Sequence, residues 1–373
     1  MTKWTSEELN KIGTAEESTF LLYGATGFVG EAIARLAVEK GLKPILAGRD
    51  AVRLEELAAE LGVEYRVFDL LDPPKIEQGL KDNTVVLHCA GPFIHTYKPM
   101  VEACLQTGTH YLDLTGEIPV YEALANRDAE AKARGIMILP GAGFDVVPTD
   151  CLALHLKQRL PSATRLALAF KSEGPARMPP GTQRTGFEVV IPYGVRVRRN
   201  GRLEHPKQPV KTRLIDFGRG PVQATLYPWG DVFTAYYSTG IPNIEDYSVV
   251  SEATRKQLAT LANLRPLLKL SIVRNFLKRG VKPGPTPEKQ ARTVTHVWGE
   301  VEDDQGRKAV ARLHGPEAGV VWTARAALAA VRKVLSGNAP PGFQTPAMAY
   351  GADFVLECEG VTRETEAPSF NSA

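Results

Sequence analysis

Gly24, Gly27 and Gly30 fall at three-residue intervals directly after an apolar run, Phe20-Leu21-Leu22-Tyr23. Residues without side chains at that spacing leave backbone amides bare. A bare turn that opens a helix presents the helix's positive end to an anion such as a pyrophosphate. Downstream, Val29, Ile33 and Leu36 recur at helical spacing, so the turn sits between a strand and a helix. Thr26, Phe28 and Val29 lie within or just past the turn and join the same candidate cofactor surface. With 33 glycines in the chain, a G-x-x-G-x-x-G string alone says little, and its place between strand and helix is what points to a dinucleotide.

The second chemical signal is Arg49, which follows Ala47-Gly48 at the end of the next apolar run. An acidic residue there would accept from the adenosine ribose hydroxyls and select NAD. A guanidinium instead grips a 2′-phosphate through paired hydrogen bonds, so Arg49, with Arg53 behind it, argues for NADP. Asp69, after the third strand, is placed either to reach the adenine amino group or to cap a turn. Cys89, Ala90, Gly91 and Pro92 close the fourth strand, and residues this small let ribose and nicotinamide lie across the sheet edge; a tight loop without ligand contact is the alternative. Two further motifs follow the fifth and sixth strands, Tyr111-Leu-Asp113-Leu-Thr-Gly-Glu117 and Gly141-Ala-Gly-Phe-Asp145, whose carboxylates either face a substrate or cap helices.

The elements that must hold these residues alternate regularly from Thr19 to Leu139. Six strands are predicted, Thr19–Tyr23, Pro44–Ala47, Glu64–Phe68, Thr84–His88, His110–Leu112 and Ile136–Leu139. Helices are predicted between them over Phe28–Lys40, Ala51–Leu61, Pro73–Lys81, Lys98–Thr107 and Tyr121–Arg134, which is the rhythm of βαβ units around a parallel sheet. Asp50 stands as an N-cap and Gly62 as a C-terminal stop for the second helix. Beyond Asp145 a helix near Thr149–Arg159 leads to isolated strands such as Thr164–Phe170, Val222–Leu226, Phe233–Tyr237 and Val294–Val301, a second, mainly antiparallel region. The expected organisation is an extension over 1–18, a cofactor domain over 19–150, a substrate domain over 151–339, a segment 340–358 that packs back on the cofactor domain, and a frayed tail over 359–373. Within 340–358 a helix is expected over Ala347–Cys358.

Composition narrows the class. At 373 residues the chain exceeds one usual core, which predicts two domains or a domain with a large insertion. Lys plus Arg number 45 against 42 Asp plus Glu, a net +3 too small for a nucleic-acid footprint. The four cysteines, Cys89, Cys104, Cys151 and Cys358, show neither metal-ligand spacing nor a disulfide framework, so no metal is expected and a reducing cytoplasm fits. Charges throughout the first 18 residues argue against a signal peptide, and no uncharged apolar run approaches the ~20 residues that span a bilayer. No G-x-S-x-G elbow, H-E-x-x-H pair or Walker lysine is present, and no tyrosine is followed by lysine four residues on as a short-chain dehydrogenase would require. The segment Arg265–Lys282 holds six basic residues and no acidic one; its apolar and basic positions do not segregate on a helical wheel, so a solvated or packed helix is favoured over contact with a lipid surface.

The chain resembles the saccharopine dehydrogenase-like family, and more closely its branch of trans-acting enoyl reductases. The resemblance rests on Tyr23-Gly-Ala-Thr-Gly-Phe-Val-Gly30, Ala47-Gly-Arg49, Cys89-Ala-Gly-Pro-Phe93, Tyr111 to Glu117 and Pro140 to Asp150, and further on at Tyr227-Pro-Trp-Gly-Asp231, Ser238 to Glu245 and Gly342 to Met348. It implies an α/β Rossmann-type doubly wound parallel sheet, a second α+β, mainly antiparallel domain, and hydride transfer with NAD(P). The enoyl reductase branch acts on unsaturated acyl chains delivered by polyketide or fatty acyl machinery, so an acyl-carrier or polyketide synthase partner is implied; saccharopine dehydrogenases act on an amine or imine, and a cofactor-binding sensor is a third reading. A homo-oligomer is compatible with each. No proton donor transfers by motif. Tyr97, which could hang over the nicotinamide, and Asp231 and Tyr236, in the strongest motif of the second domain, are the candidates, and for each a structural hydrogen bond is the competing role.

Overall fold

The computed structural model describes residues 19–208, 210–263, 279–366 and 369–370. The segment 1–18 and all but the last four residues of Arg265–Lys282 lie outside the described residues.

Six short strands, β1 (Thr19–Tyr23), β2 (Lys43–Gly48), β3 (Tyr65–Val67), β4 (Val85–His88), β5 (His110–Asp113) and β6 (Met137–Leu139), pair in parallel in the order 3-2-1-4-5-6. Phe20, Leu21, Leu22, Val85, Val86 and Leu87 are fully buried, as expected of strands covered by helices on both faces. The helices begin and end where local chemistry dictates. Asp50 Oδ1 accepts from the Arg53 amide (3.2 Å) to open the helix Ala51–Leu61, and Gly62 in the left-handed region closes it. The chain winds outward from β1 in both directions, so β1 and β4 flank the switch point, and the carboxyl ends of these strands open into a crevice there.

The helix Val147–Arg159 leads into a mixed sheet. Its strands are β7 (Arg165–Glu173), β8 (Val197–Arg199), β9 (Arg202–Glu204), β10 (Thr212–Asp216), β11 (Pro221–Leu226), β12 (Asn243–Ser248), β13 (Val294–Glu302) and β14 (Arg307–Gly315). All described pairings in it are antiparallel except that of β7 with β12. The helix Thr323–Leu335 then returns to pack against Phe28–Glu39, and β15 (Gly342–Phe343) adds to β6 as a seventh parallel strand.

Four expectations change. Phe233–Tyr237 is not a strand but the middle of a helix, Asp231–Thr239, which starts after Gly230 and is stopped by Gly240 at φ +68°. Its β-branched and aromatic residues look strand-like, yet Val232, Phe233 and Ala235 bury one helical face. The helix expected over Tyr121–Arg134 is two, Ile118–Ala125 and Asp128–Arg134, interrupted where Arg127 turns to pair with Glu102 and Glu130. The helix expected over Ala347–Cys358 ends at Gly351 (φ +84°), which leaves Pro346–Tyr350 and a separate 3-10 turn, Phe354–Glu357. The segment from Glu359, expected to fray, carries β16 (Thr362–Thr365), paired antiparallel with β14, as is β17 (Ser369–Phe370).

Candidate active site

The glycine turn is built by close approach. Gly24 has φ +83°, and a Cβ there would stand 2.9 Å from the Ala90 amide nitrogen, so β1 and the loop after β4 touch through bare backbone. A Cβ on Gly30 would stand 2.2 Å from the Gly24 carbonyl, so only glycine lets the helix pack onto its own turn. Gly27 is the N-cap of Phe28–Glu39 and no side chain caps that helix, which leaves its first amides directed at the crevice.

A cleft of about 660 Å³ extends from this turn. Gly24, Thr26, Gly27, Phe28 and Val29 form one wall, Arg49 and Arg53 stand at the end of β2, and Cys89, Ala90, Gly91 and Pro92 close the far side. Asp69 lines the cleft as well, but its Oδ1 accepts the Leu71 amide (2.9 Å), which is the turn-capping role.

A second cavity of about 440 Å³ meets the cleft, and Val29, Cys89, Gly91 and Gly181 line both. Its wall is aromatic. Phe170 lies with ring centroids 4.8 Å from Trp229, 6.0 Å from Phe144 and 6.2 Å from Tyr227. The Trp229 indole donates to the Asp145 carbonyl (3.0 Å), which fixes the loop after β6 against the turn after β11. The polar part is small. Asp145 lines this cavity, its Oδ2 lies over Gly116 where a Cβ would come within 3.0 Å, and burial pushes its carboxyl up to about 7. No described protein group donates a hydrogen bond to that carboxyl.

The other motif carboxylates are occupied. Glu117 accepts from the Phe93 and Ile94 amides, both at 2.8 Å, and so holds the loop after β4. Asp113 accepts from the Gly141 and Thr115 amides (both 2.9 Å) and the Tyr111 hydroxyl (2.7 Å), tying the ends of β5 and β6 together. Glu317, at the rim of the cavity, is spent on three amides, those of Gly319, Val320 and Val321. The Cys89 thiol is held above its ordinary value by burial and stays protonated.

Comparison with known proteins agrees with this geometry. Residues 20–139 match the family model of the saccharopine dehydrogenase NADP binding domain. The chain carries a saccharopine dehydrogenase NADP-binding domain. Its cleft suits that cofactor, with a side-chain-free turn for the pyrophosphate and guanidinium groups where the adenosine ribose ends. A trans-acting enoyl reductase of Mycobacterium leprae is 37% identical over 152 residues, 39% of this chain and 36% of that protein. A saccharopine dehydrogenase-like oxidoreductase of Homo sapiens is 26% identical over 160 residues, 38% of this chain and 37% of that protein. These alignments therefore span just over a third of each curated relative. The apo saccharopine dehydrogenase (L-Glu forming) of Saccharomyces cerevisiae shares the whole fold, with a TM-score of 0.64 over 94% of this chain and 100% of that one at 14% identity.

Around the NADP-binding domain, the three residues singled out as proton donors do not line either cavity. Tyr97 begins the helix Tyr97–Thr107 and packs half-buried against the core. Asp231 is fully buried beneath the cavity, where it accepts the Thr149 hydroxyl (2.5 Å) and faces Asp246. Tyr236 lies under the Arg198 guanidinium, 4.1 Å from its ring centre. Asp145, Tyr227 and Trp229 do line the cavity. Tyr227 and Trp229 stand two residues apart in the motif that also contains Asp231, and that spacing directs both rings to one side of the turn. The stretch Gly174–Gly181 reads as a plain loop in sequence, yet it and the helix Pro180–Thr185 supply part of both cavities.

Among the described residues no helix is long and apolar enough to cross a membrane, and no group of three or more His, Cys, Asp or Glu side chains could hold a metal ion.

Proposed function

We propose that this protein is an NADPH-dependent reductase of a carbon–carbon double bond in an acyl chain. The observation that carries this reading is the aromatic cavity that joins the cofactor cleft at Val29, Cys89, Gly91 and Gly181. A ligand entering from that side lays an apolar chain along Phe144, Phe170, Tyr227 and Trp229, with its reacting end against the cofactor. The name of the Mycobacterium leprae relative points the same way. A saccharopine-type amine with several carboxylates would need several cations, and Arg177 is the single basic side chain among those lining the cavity.

NADPH, held by the Gly24–Gly30 turn and Arg49, would supply a hydride for the β-carbon of an enoyl group. Asp145 then supplies the proton to the α-carbon and leaves as a carboxylate, to be reprotonated from solvent. Burial keeps its carboxyl protonated to near-neutral pH, which is what a donor at this position requires. The aromatic wall excludes water and orients the chain, while Glu117 and Asp113 hold the loops that shape the junction. Arg49 and Arg53 receive the 2′-phosphate, and the Gly24–Gly30 turn the pyrophosphate. The substrate arrives as a thioester, free or on an acyl carrier.

The test is oxidation of NADPH followed against enoyl thioesters of increasing chain length, free and carrier-bound, with an imine and a saccharopine-type amine in parallel. Turnover that rises with chain length supports the reading. Turnover of the amine or imine alone, or cofactor binding without turnover of any acceptor, overturns it.

A further inference from the structure

Three guanidinium groups line the cofactor cleft, those of Arg49, Arg53 and Arg184. Among the described residues none of the three side chains pairs with a carboxylate. Nearby Arg35, by contrast, pairs with Glu31 and Glu60. Three unpaired cations around one cleft repel each other unless a ligand with several negative charges lies between them. NADP carries two separate anionic groups, and the end of β2 serves one of them, the 2′-phosphate. The cation left over comes from a different part of the chain, beyond β7.

We propose that Arg184 is the second-domain half of the pyrophosphate grip, so that bound cofactor holds the helix Pro180–Thr185 in place and with it one wall of the substrate cavity. This rests on the NADP reading of the cleft. Gly181 lies in the wall shared by cleft and cavity, and Arg184 follows three residues later, ~4.5 Å along a helix. His95, in the turn after β4, lines the same cleft. Gly181, shared with the substrate cavity, puts this helix where cleft and cavity meet. The next turn of chain is already fastened to the first domain, since Glu188 pairs with His95 (2.9 Å) and Thr185 donates to Glu117 (3.4 Å). Thr182 and Thr185 of the same helix line the substrate cavity. Cofactor held by Arg184 therefore fixes one wall of the acyl site.

The experiment is a fluorescence titration of the full chain with NADPH and with NADH. Arg184→Ala weakens both nucleotides by about 10- to 30-fold, the loss of a charge-assisted contact to a shared group, and leaves their ratio within about 2-fold. Arg184→Lys, which keeps the charge but not the fork, recovers part of the loss. Arg49→Ala, by contrast, weakens NADPH and spares NADH. Hydrogen exchange across 180–190 slows on addition of NADPH to the wild type and not to Arg184→Ala. An Arg184→Ala protein that binds both nucleotides as the wild type does, or that loses NADPH alone, overturns the inference while the cofactor reading stands. A wild type that binds neither nucleotide overturns the cofactor reading and the inference with it.

Discussion

The two sheets of this molecule build their halves of the site by opposite means. The parallel sheet presents backbone: the Gly24–Gly30 turn, a helix end without a side-chain cap, and a loop held by Glu117 through two amides. The mixed sheet presents side chains, and Phe170 from β7 and Tyr227 and Trp229 from the turn after β11 meet Phe144, from the loop after β6, in one cavity. Backbone recognition fixes residue type at fixed spacing, because each close approach excludes a Cβ. Side-chain recognition fixes a shape, which many residues at many positions can fill. The cofactor half is therefore intolerant of small changes, and the substrate half absorbs them.

The largest expected effect follows directly. Gly30→Ala places a methyl where the Gly24 carbonyl stands 2.2 Å away. Either the turn or the helix must move, at a cost of about 3 kcal/mol or more, and NADPH affinity falls at least ~100-fold. The matching change in the other half is Gly240→Ala, at φ +68° with nothing within 4 Å of the added atom. It costs about 1 kcal/mol from the left-handed backbone alone and leaves cofactor binding unchanged. Chemical denaturation and nucleotide titration of both variants measure the contrast. Equal losses of affinity would remove the distinction between the halves.

The same contrast explains what could be read in the sequence. The inner strands of the parallel sheet, β1 and β4 above all, are legible because their residues are mostly apolar, and the turns carry glycine or Asp50 where backbone chemistry demands them. The mixed sheet is less so. Phe233–Tyr237 carries strand-like residues, but packing places them on a helix, since tertiary burial of Val232 and Phe233 outweighs local preference. Asp231 and Tyr236 look chemical because polar groups beside glycine often are, yet one is buried against Thr149 and the other stacks under Arg198. Asp145 and Trp229 are the better signals in those same motifs. Recognising them requires knowing that 84 residues of chain bring the Trp229 indole to the Asp145 carbonyl, a contact no local pattern encodes.

Asp145 sharpens the comparison at the junction of the two halves. Asp145→Asn keeps the size of the side chain and removes the proton it holds near neutrality. Turnover of an enoyl thioester falls about 10²-fold while NADPH affinity stays within about 2-fold. In the wild type the donor form is lost as pH rises through about 7, so the rate declines on the alkaline side, and the Asn variant shows a flat profile there. A variant that weakens NADPH as much as it slows turnover would place Asp145 in the cofactor half instead.

The smallest effect separates the halves by how they satisfy a buried carboxyl. Asp113, under the cofactor cleft, accepts from three described donors. Asp246, under the mixed sheet, is fully buried with its carboxyl against that of Asp231, so two carboxyls share one buried site. Burial raises both Asp231 and Asp246 well above the ordinary carboxylate range. The folded state thus keeps protons that the unfolded chain releases above about pH 4, so the contribution of this pair to stability is greatest in acid and declines as pH rises toward neutrality. Asp246→Asn removes the charge that must otherwise form there. It leaves stability near pH 5 little changed and raises it at pH 8 by about 1–2 kcal/mol, roughly 1–3 °C in Tm for a chain of this length. Asp113→Asn moves the other way, because an amide nitrogen replaces one of the oxygens on which those donors converge. Melting curves at pH 5 and pH 8 test both. Parallel shifts of wild type and Asp246→Asn between the two pH values would show that this pair carries no linked proton, and the two halves would then differ in recognition alone.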